Sequence, residues 1–165
     1  MKVEKLYIEW SRLRPIKFIL VTTLLTFAFT VPFSIGLEAM GLKDGEIGNM
    51  DYNKYGVMGT LFLSIVLAPI IETFLGQVLP IYLTQKFIKA KTNIVATLLS
   101  TIIFSLGHLG YSVWYFILTI PTGILLAMTY MIFQNRKESS FWMTFSVHSL
   151  RNSIAVTFAL EQIIK

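Results

Sequence analysis

The sequence contains no cysteine, and charged residues occupy only 14% of its 165 positions. Without cysteine the chain has no disulfide bond, no thiolate metal site and no cysteine nucleophile. The scarcity of charge, combined with 55% hydrophobic residues, excludes a soluble domain of this size. Internal repeats and low-complexity segments are absent as well. The sequence therefore predicts one polytopic membrane domain over residues 1–165.

Long apolar runs predict an all-α fold, a polytopic transmembrane helix bundle of about five spans, with six as the alternative count. The runs are Ile16 to Leu37, Tyr55 to Ile88, Ile94 to Leu109, Val113 to Phe133 and Phe141 to Ile164. The second run is much longer than the about 20 residues needed to cross a bilayer. Because Pro69 and Pro80 interrupt it, it fits either one kinked helix or a span followed by an interfacial helix.

The distribution of lysine and arginine predicts the orientation of these spans. With five crossings, ten of these residues fall on the side of the N-terminus, and only Lys43, Lys54 and Lys165 fall on the other side. Cytoplasmic loops carry such an excess of positive charge. We therefore expect an integral protein of a bacterial cell membrane with a cytoplasmic N-terminus. The net charge of +5 then reflects topology, and no nucleic-acid partner is expected.

One glutamate and both histidines of the chain lie deep inside the apolar runs. Glu72 interrupts the stretch APIIETFLGQVL, and the only two histidines of the chain are His108 and His148. An ionised side chain near the middle of a bilayer costs at least about 2.5 kcal/mol. A structural pairing of buried polar groups would explain one such residue, but three of them favour chemistry. At ~1.5 Å per residue they lie roughly 15 to 25 Å from the cytoplasmic ends of their runs, so one shared intramembrane polar cavity is predicted.

Pairs of residues spaced four positions apart accompany these groups, and this spacing places both members on one helical face. The pairs are Thr73 and Gln77 beside Glu72, Phe104 and His108, and His148 and Asn152. The resulting motifs ETxxxQ, FxxxH and HxxxN resemble, in order and on successive helices, those of CPBP intramembrane proteases. This family, the CAAX protease and bacteriocin-processing or Abi group, usually has EExxxR, FxxxH and HxxxN or HxxxD. The resemblance covers Pro69 to Asn152, within a family core expected at about residues 55–160.

The resemblance implies an intramembrane endopeptidase that hydrolyses a peptide bond in a membrane-associated protein or peptide. Glu72 matches the glutamate that acts as general base on a water molecule, with His108 assisting. His148 and Asn152 match the pair that polarises the scissile carbonyl and holds its oxyanion. The residue types suit this chemistry, because a carboxylate can serve as the base and imidazole or amide donors can stabilise an oxyanion.

Two positions depart from the family pattern. Thr73 stands where the family usually has a second glutamate, and Gln77 stands where it usually has arginine. If those two normally form an ion pair, the loss of both charges leaves no unpaired charge, and a Thr73 to Gln77 hydrogen bond would replace the pair. Arg151, inside the last run, has three open interpretations: it pairs with Glu72, reaches a lipid headgroup or binds a substrate carboxylate. These residues and Phe104 are expected to support the site.

Other functions stay open beside the protease. A catalytically inactive CPBP-like protein, such as a bacteriocin-immunity or scaffold protein, would keep the same fold. A small transporter or channel would use the polar cluster as an ion or proton path. Two histidines and a carboxylate also suit hydrolytic zinc, but the HExxH motif is absent, and we expect no metal and no cofactor. The substrate and the oligomeric state are not specified by the sequence.

Overall fold

Helices joined by short connections make up the computed structural model, which describes residues 2–42, 52–88 and 92–164. The helices are α1 (Lys2–Ser11), α2 (Pro15–Ala39), α3 (52–87), α4 (Thr92–Leu106), α5 (Val113–Phe133) and α6 (Ser140–Ile164). No strand occurs in these three ranges. The prediction of an all-α membrane helix bundle is confirmed.

The α5 helix forms the centre of the bundle. It packs against α2, α4, α6 and the second half of α3. In the most apolar window of each long span, 56% of the α5 residues are buried, against 28% for α2 and 22% for α3. The other helices therefore surround α5, and α6 also contacts α2 and the middle of α3.

Within the described ranges, three helices are long and apolar enough to cross a membrane: Pro15–Ala39, Tyr55–Phe87 and Val113–Phe133. The α4 helix is apolar but has only 15 residues, and the 25-residue α6 carries the polar residues of the last motif. Length and composition thus support three of the five predicted spans in the described part of the chain. The second apolar run forms a single 33-residue helical element, which is the first of its two predicted alternatives.

Polar side chains face the interior of the bundle along α2, and apolar ones face outward. Thr22, Thr23, Thr26 and Thr30 are buried, whereas Leu20, Leu24, Phe29 and Val31 are exposed. The Thr26 and Thr30 hydroxyls donate to carbonyls of their own helix, and Trp10 Nε1 donates to Thr22 Oγ1 at 2.9 Å. Small residues between helices and apolar residues on the outside are the arrangement of a membrane bundle, in which lipid solvates the outer face.

Arg136 ties together the segments at one end of the bundle. Its Nη1 donates to the carbonyls of Ser11 and Leu13, at 3.0 and 2.9 Å, in the turn between α1 and α2. Its other nitrogens donate to Glu138 at 3.2 Å, which holds the pKa of that carboxyl below its usual range. The basic N-terminal segment and the α5–α6 loop therefore lie at the same end, as the predicted topology requires. That this end faces the cytoplasm stays a prediction.

Candidate active site

The irregular helix α3 carries the first group of the site. Its α-helical segments Tyr52–Phe62, Ala68–Glu72 and Leu79–Phe87 alternate with the π-helical segments Leu63–Leu67 and Thr73–Val78. Glu72 thus ends a short α-helical segment between two π turns. Such π turns inside longer helices are frequent at functional sites, because they leave backbone groups available and change the direction of side chains.

Proline explains which backbone carbonyls of α3 are hydrogen-bonded by side chains of other helices. Pro69 has no N–H, so the carbonyls of Ser64 and Ile65, five and four residues before it, receive no backbone bond from it. Side chains of α6 supply donors instead: Ser149 Oγ donates to Ile65 O at 2.7 Å, and Asn152 Nδ2 donates to Ser64 O at 3.0 Å. Each bond gives a donor to a backbone acceptor that proline leaves without its usual one, as membrane helices require.

At the second proline of α3, a side chain of another helix again donates to the carbonyl that the proline leaves unbonded. Pro80 supplies no N–H to Gly76 O, four residues earlier. Ser100 Oγ, on α4, donates to that carbonyl at 2.6 Å. At the two prolines α3 is therefore bonded to α6 and to α4, and the remaining groups of the site lie on α6 and in the turn that follows α4.

Both histidines contact one oxygen of Glu72. His108 Nε2 lies 3.5 Å from Glu72 Oε2, and His148 Nε2 lies 3.4 Å from the same oxygen. These separations are longer than a well-formed hydrogen bond. Catalytic contacts often tighten only when substrate is bound, so the distances suit a site without its ligand. The predicted convergence of these three residues is found: Glu72 comes from α3, His108 from the turn after α4 and His148 from α6.

The environments of the two imidazoles differ. His108 lies in the turn after α4, and its Nδ1 is 2.9 Å from the Phe104 carbonyl, which can only accept. His108 Nδ1 therefore carries a hydrogen, and Nε2 of a neutral ring is then an acceptor. In His148, Nδ1 is buried without a hydrogen-bond partner among the described residues. The hydrogen of a neutral His148 ring therefore has a partner only at Nε2, which faces Glu72.

The position of His108 corrects one expectation. The FxxxH spacing predicted that Phe104 and His108 share a face of a regular helix. Instead α4 ends at Leu106, and residues 107–111 form turns around Gly107 and Gly110. The imidazole still returns to the last helical turn, because Nδ1 caps the Phe104 carbonyl that the end of the helix leaves available.

The Phe104 ring packs against both imidazoles of the site. Its ring centroid lies 4.9 Å from that of His108 and 5.5 Å from that of His148. Two glycines admit the ring: a Cβ atom at Gly76 or at Gly123 would lie 3.1 Å from Phe104 side-chain atoms. This distance is shorter than nine in ten real Cβ contacts, so the ring would have to shift by a few tenths of an ångström. Phe104 therefore positions both imidazoles, and its own position depends on the two glycines.

Asn152 and Arg151 complete the polar wall on α6. Asn152 Nδ2 uses one hydrogen on Ser64 O, and its Oδ1 accepts from Arg151 Nη1 at 3.3 Å. The amide keeps a second hydrogen on Nδ2. Among the described residues no carboxylate lies within ion-pair distance of Arg151, so the pairing with Glu72, one of its three interpretations, is not found.

These groups border a cavity of about 270 Å³. Its polar wall holds Glu72, His108, His148, Arg151 and Asn152, and its apolar wall includes Ala155, Val156 and Ala159 of α6. Two tyrosines that sequence reasoning missed also line it: the rings of Tyr111 and Tyr115 lie 6.5 and 5.3 Å from the His108 ring. Their positions three and seven residues after His108 are the signal that could have indicated them.

Thr73 and Gln77 lie outside the cavity wall, and both side chains are 0% exposed. The expected hydrogen bond between them is wrong: Thr73 Oγ1 and both Gln77 side-chain atoms have no hydrogen-bond partner in the described part of the chain. The segment from Thr73 to Val78 is π-helical, so the four-residue spacing does not bring the two groups together as it would in an α-helix. At both positions where the motif departs from the family pattern, a buried polar side chain therefore lacks a hydrogen bond within the described ranges.

No set of three or more His, Asp or Glu side chains within the described ranges has the arrangement of a metal site. The expectation of a metal-free and cofactor-free site stays a prediction. The fold and the site together define an integral membrane helix bundle in which a glutamate and two histidines face one intramembrane cavity.

A family model assigns this class more narrowly. The model described as type II CAAX prenyl endopeptidase Rce1-like matches residues 54–154, and the chain belongs to this family of CAAX-type intramembrane proteases. The match includes all three motifs and confirms the resemblance stated from the sequence. Neither a curated protein nor a solved structure matches the chain.

Proposed function

We propose that this protein is an intramembrane endopeptidase in which Glu72 activates a water molecule to hydrolyse a peptide bond of a membrane-associated protein or peptide. One observation carries the proposal: a single oxygen of Glu72 lies 3.4 to 3.5 Å from both histidines of the chain, on the wall of a cavity large enough for a peptide segment. The family to which the chain belongs supports the reaction class.

The hydrogen-bonding capacities of the three groups support separate roles. Glu72 takes a proton from water while the water oxygen attacks the carbonyl carbon of the substrate, forming a tetrahedral oxyanion. Nε2 of a neutral His108 is an acceptor and orients the same water. When the C–N bond breaks, the proton held by Glu72 passes to the leaving nitrogen. One water is consumed, and a carboxyl group and an amine are produced.

Donors for the oxyanion come from α6. His148 has its available hydrogen at Nε2, and Asn152 retains one Nδ2 hydrogen beyond the bond to Ser64 O. Two fixed donors at the position of a developing oxyanion each lower the barrier by about 3 to 4 kcal/mol in a site of this kind. The proposal requires no metal and no cofactor, because carboxylate, imidazole and amide supply every proton and charge in the reaction.

The experiment compares newly formed peptide termini in membranes that contain the wild type, Glu72→Gln, His148→Ala or Glu38→Gln at equal abundance. Glu38 is an exposed carboxylate at the end of α2 and serves as the matched control. We expect termini that occur with the wild type and the control and vanish in the two site variants. Identical termini in all four samples would contradict the proposal.

A catalytically inactive relative with an immunity or scaffold role is the second candidate. The observation that favours it is the loss of both charges from the first motif, after which the buried Thr73 and Gln77 side chains have no hydrogen-bond partner among the described residues. Such a protein would retain its cellular phenotype in the Glu72→Gln and His148→Ala variants. A protease would lose its phenotype in both, so the same four strains separate the two functions.

A further inference from the structure

Arg151 lies deep in α6. The helix runs over Ser140–Ile164, so Arg151 is roughly 16 Å from its start and roughly 20 Å from its end at ~1.5 Å per residue. If α6 crosses the membrane as the sequence predicts, a bilayer core about 30 Å thick places Arg151 near its middle. A cation at that depth is costly unless an anion or a water-filled cavity compensates it, and such residues mark binding sites by default.

The structure provides the cavity, but no carboxylate of the described residues lies within ion-pair distance of Arg151. Arg151 borders the 270 Å³ cavity, and its contacts are Asn152 Oδ1 at 3.3 Å and the Phe27 ring at 5.8 Å from the guanidinium carbon. Its Nε atom is buried and has no hydrogen-bond partner among the described residues. Glu72, the cavity's own carboxylate, faces the two imidazoles instead. The guanidinium therefore keeps donors that an incoming anion can use.

We propose that Arg151 is the carboxylate-binding residue of this cavity and that it holds a carboxylate of the peptide substrate a few residues from the scissile bond. A planar guanidinium binds a carboxylate through two parallel N–H donors, which fixes both distance and orientation. The inference rests on the proposed peptidase function and adds the recognition group to it. The carboxylate belongs either to the C-terminus of the substrate or to an aspartate or glutamate side chain.

The short spacing between Arg151 and the reacting groups sets the length of peptide between them. Arg151 follows His148 by three residues, about 4.5 Å along the helix axis, and it contacts Asn152 directly. An extended peptide spans ~3.3 to 3.6 Å per residue. A carboxylate bound by Arg151 is therefore within about three residues of a carbonyl held by His148 and Asn152. A phospholipid headgroup is disfavoured, because roughly 16 Å or more of helix separates the guanidinium from either surface.

Binding of matched peptide pools tests the assignment. Three pools of N-acetylated hexapeptides, otherwise uncharged, carry a free C-terminal carboxylate, an amidated C-terminus with one internal glutamate, or an amidated C-terminus with no carboxylate. Each is applied to full-length protein in phosphatidylcholine nanodiscs, and retained peptide is quantified by mass spectrometry. All proteins carry Glu72→Gln, so that hydrolysis consumes no peptide and the outcome is independent of turnover. Arg151→Gln removes the cation, Arg151→Lys restores charge, and Arg12→Gln removes an exposed cation outside the cavity.

With Arg151 present and in the Arg12→Gln control, we expect at least one carboxylate pool to be retained on the order of tenfold above the neutral pool, a typical value for a charge-assisted contact. Arg151→Gln should abolish this preference, and Arg151→Lys should recover part of it. The favoured pool identifies a C-terminal or a side-chain carboxylate. Equal retention of all pools, or a preference that survives Arg151→Gln, would overturn the proposal. Equal retention together with Arg151-dependent copurification of an anionic phospholipid would assign the guanidinium to lipid instead.

Discussion

The hydroxyl of Ser149 donates a 2.7 Å hydrogen bond to the carbonyl of Ile65, an acceptor to which Pro69 supplies no backbone donor. The bond joins α6 to α3 about two turns before Glu72. Proline in the middle of a membrane helix is tolerated only when neighbouring side chains satisfy the carbonyls it leaves unbonded. Ser149 thus stabilises the backbone that carries the proposed base.

Replacing Ser149 by alanine should lower the free energy of unfolding by about 1 to 2 kcal/mol, since a buried acceptor then loses its donor. In a Pro69→Ala background the new backbone N–H can bond the same carbonyl, so the cost of Ser149→Ala should fall. Unfolding in detergent micelles, measured for the four members of this double-mutant cycle, tests the coupling. Ser146→Ala is the control, because among the described residues that exposed hydroxyl bonds to Trp142 O of its own helix and to no other helix. Equal costs of Ser149→Ala in both backgrounds would contradict the role assigned to Pro69.

Gly76→Ala should destabilise the protein by about 1 to 3 kcal/mol, because the new methyl group would overpack the Phe104 ring. The displacement should also move the His108 and His148 rings, which Phe104 contacts. Gly36→Ala is the matched control, since a Cβ at Gly36 meets nothing within 4 Å and alanine favours a helix interior. Thermal unfolding measures both variants. Equal stability of Gly76→Ala and the wild type would show that the contact is not tight.

Part of the site could be predicted from sequence, because a polar side chain inside an apolar run is stable only beside other polar groups or water. Glu72, His108 and His148 had to meet at similar depth, and the cost of burying each one alone makes their convergence the expected result. The end of α4 before His108 was not predictable from the same apolar run, since it depends on turns at Gly107 and Gly110 and on the imidazole that caps Phe104 O.

The π segments of α3 explain the remaining differences. Periodicity assumes 3.6 residues per turn, and the Thr73 to Gln77 prediction relied on that value. The backbone of α3 is held by hydrogen-bond donors from other helices, namely Ser100, Ser149 and Asn152. The sequence of α3 alone does not indicate these donors, so it did not predict the π-helical segments. The difference between five predicted spans and three supported ones has a similar cause. Whether the short α4 and the polar α6 cross the membrane depends on the helices beside them, and their own sequences do not decide it.

Orientation can be tested with single cysteines, since the chain has none of its own. Lys5→Cys and Lys137→Cys lie at the end of the bundle joined by Arg136, and Met40→Cys follows the C-terminus of α2. With a cytoplasmic N-terminus, an impermeant maleimide should label Met40→Cys in intact spheroplasts. The other two variants should react only after lysis. Labelling of Lys5→Cys in intact spheroplasts would reverse the proposed topology.

A metal-free mechanism predicts that chelation leaves hydrolysis unchanged. Purified protein incubated with 1,10-phenanthroline and then dialysed should cleave its substrate at the rate of the untreated sample. Bound zinc would be measured on the same samples by atomic emission. Loss of activity in proportion to zinc removed, with recovery when zinc is returned, would replace the glutamate mechanism by a metal-dependent one.

The most direct measurement is the hydrolysis rate of purified Glu72→Gln, compared with the wild type and Glu38→Gln in the same lipid nanodiscs. The substrate is a peptide that spans a cleavage site found in the membrane comparison. Glutamine keeps the shape of the side chain but cannot accept the proton of water, and a general base contributes about 10²- to 10⁴-fold to a rate. We predict a loss of that size in Glu72→Gln, with unchanged unfolding temperature and with full activity in Glu38→Gln. A folded Glu72→Gln protein that cleaves within about threefold of the wild type, far inside the range for loss of a general base, would contradict the assignment of Glu72 as the catalytic base.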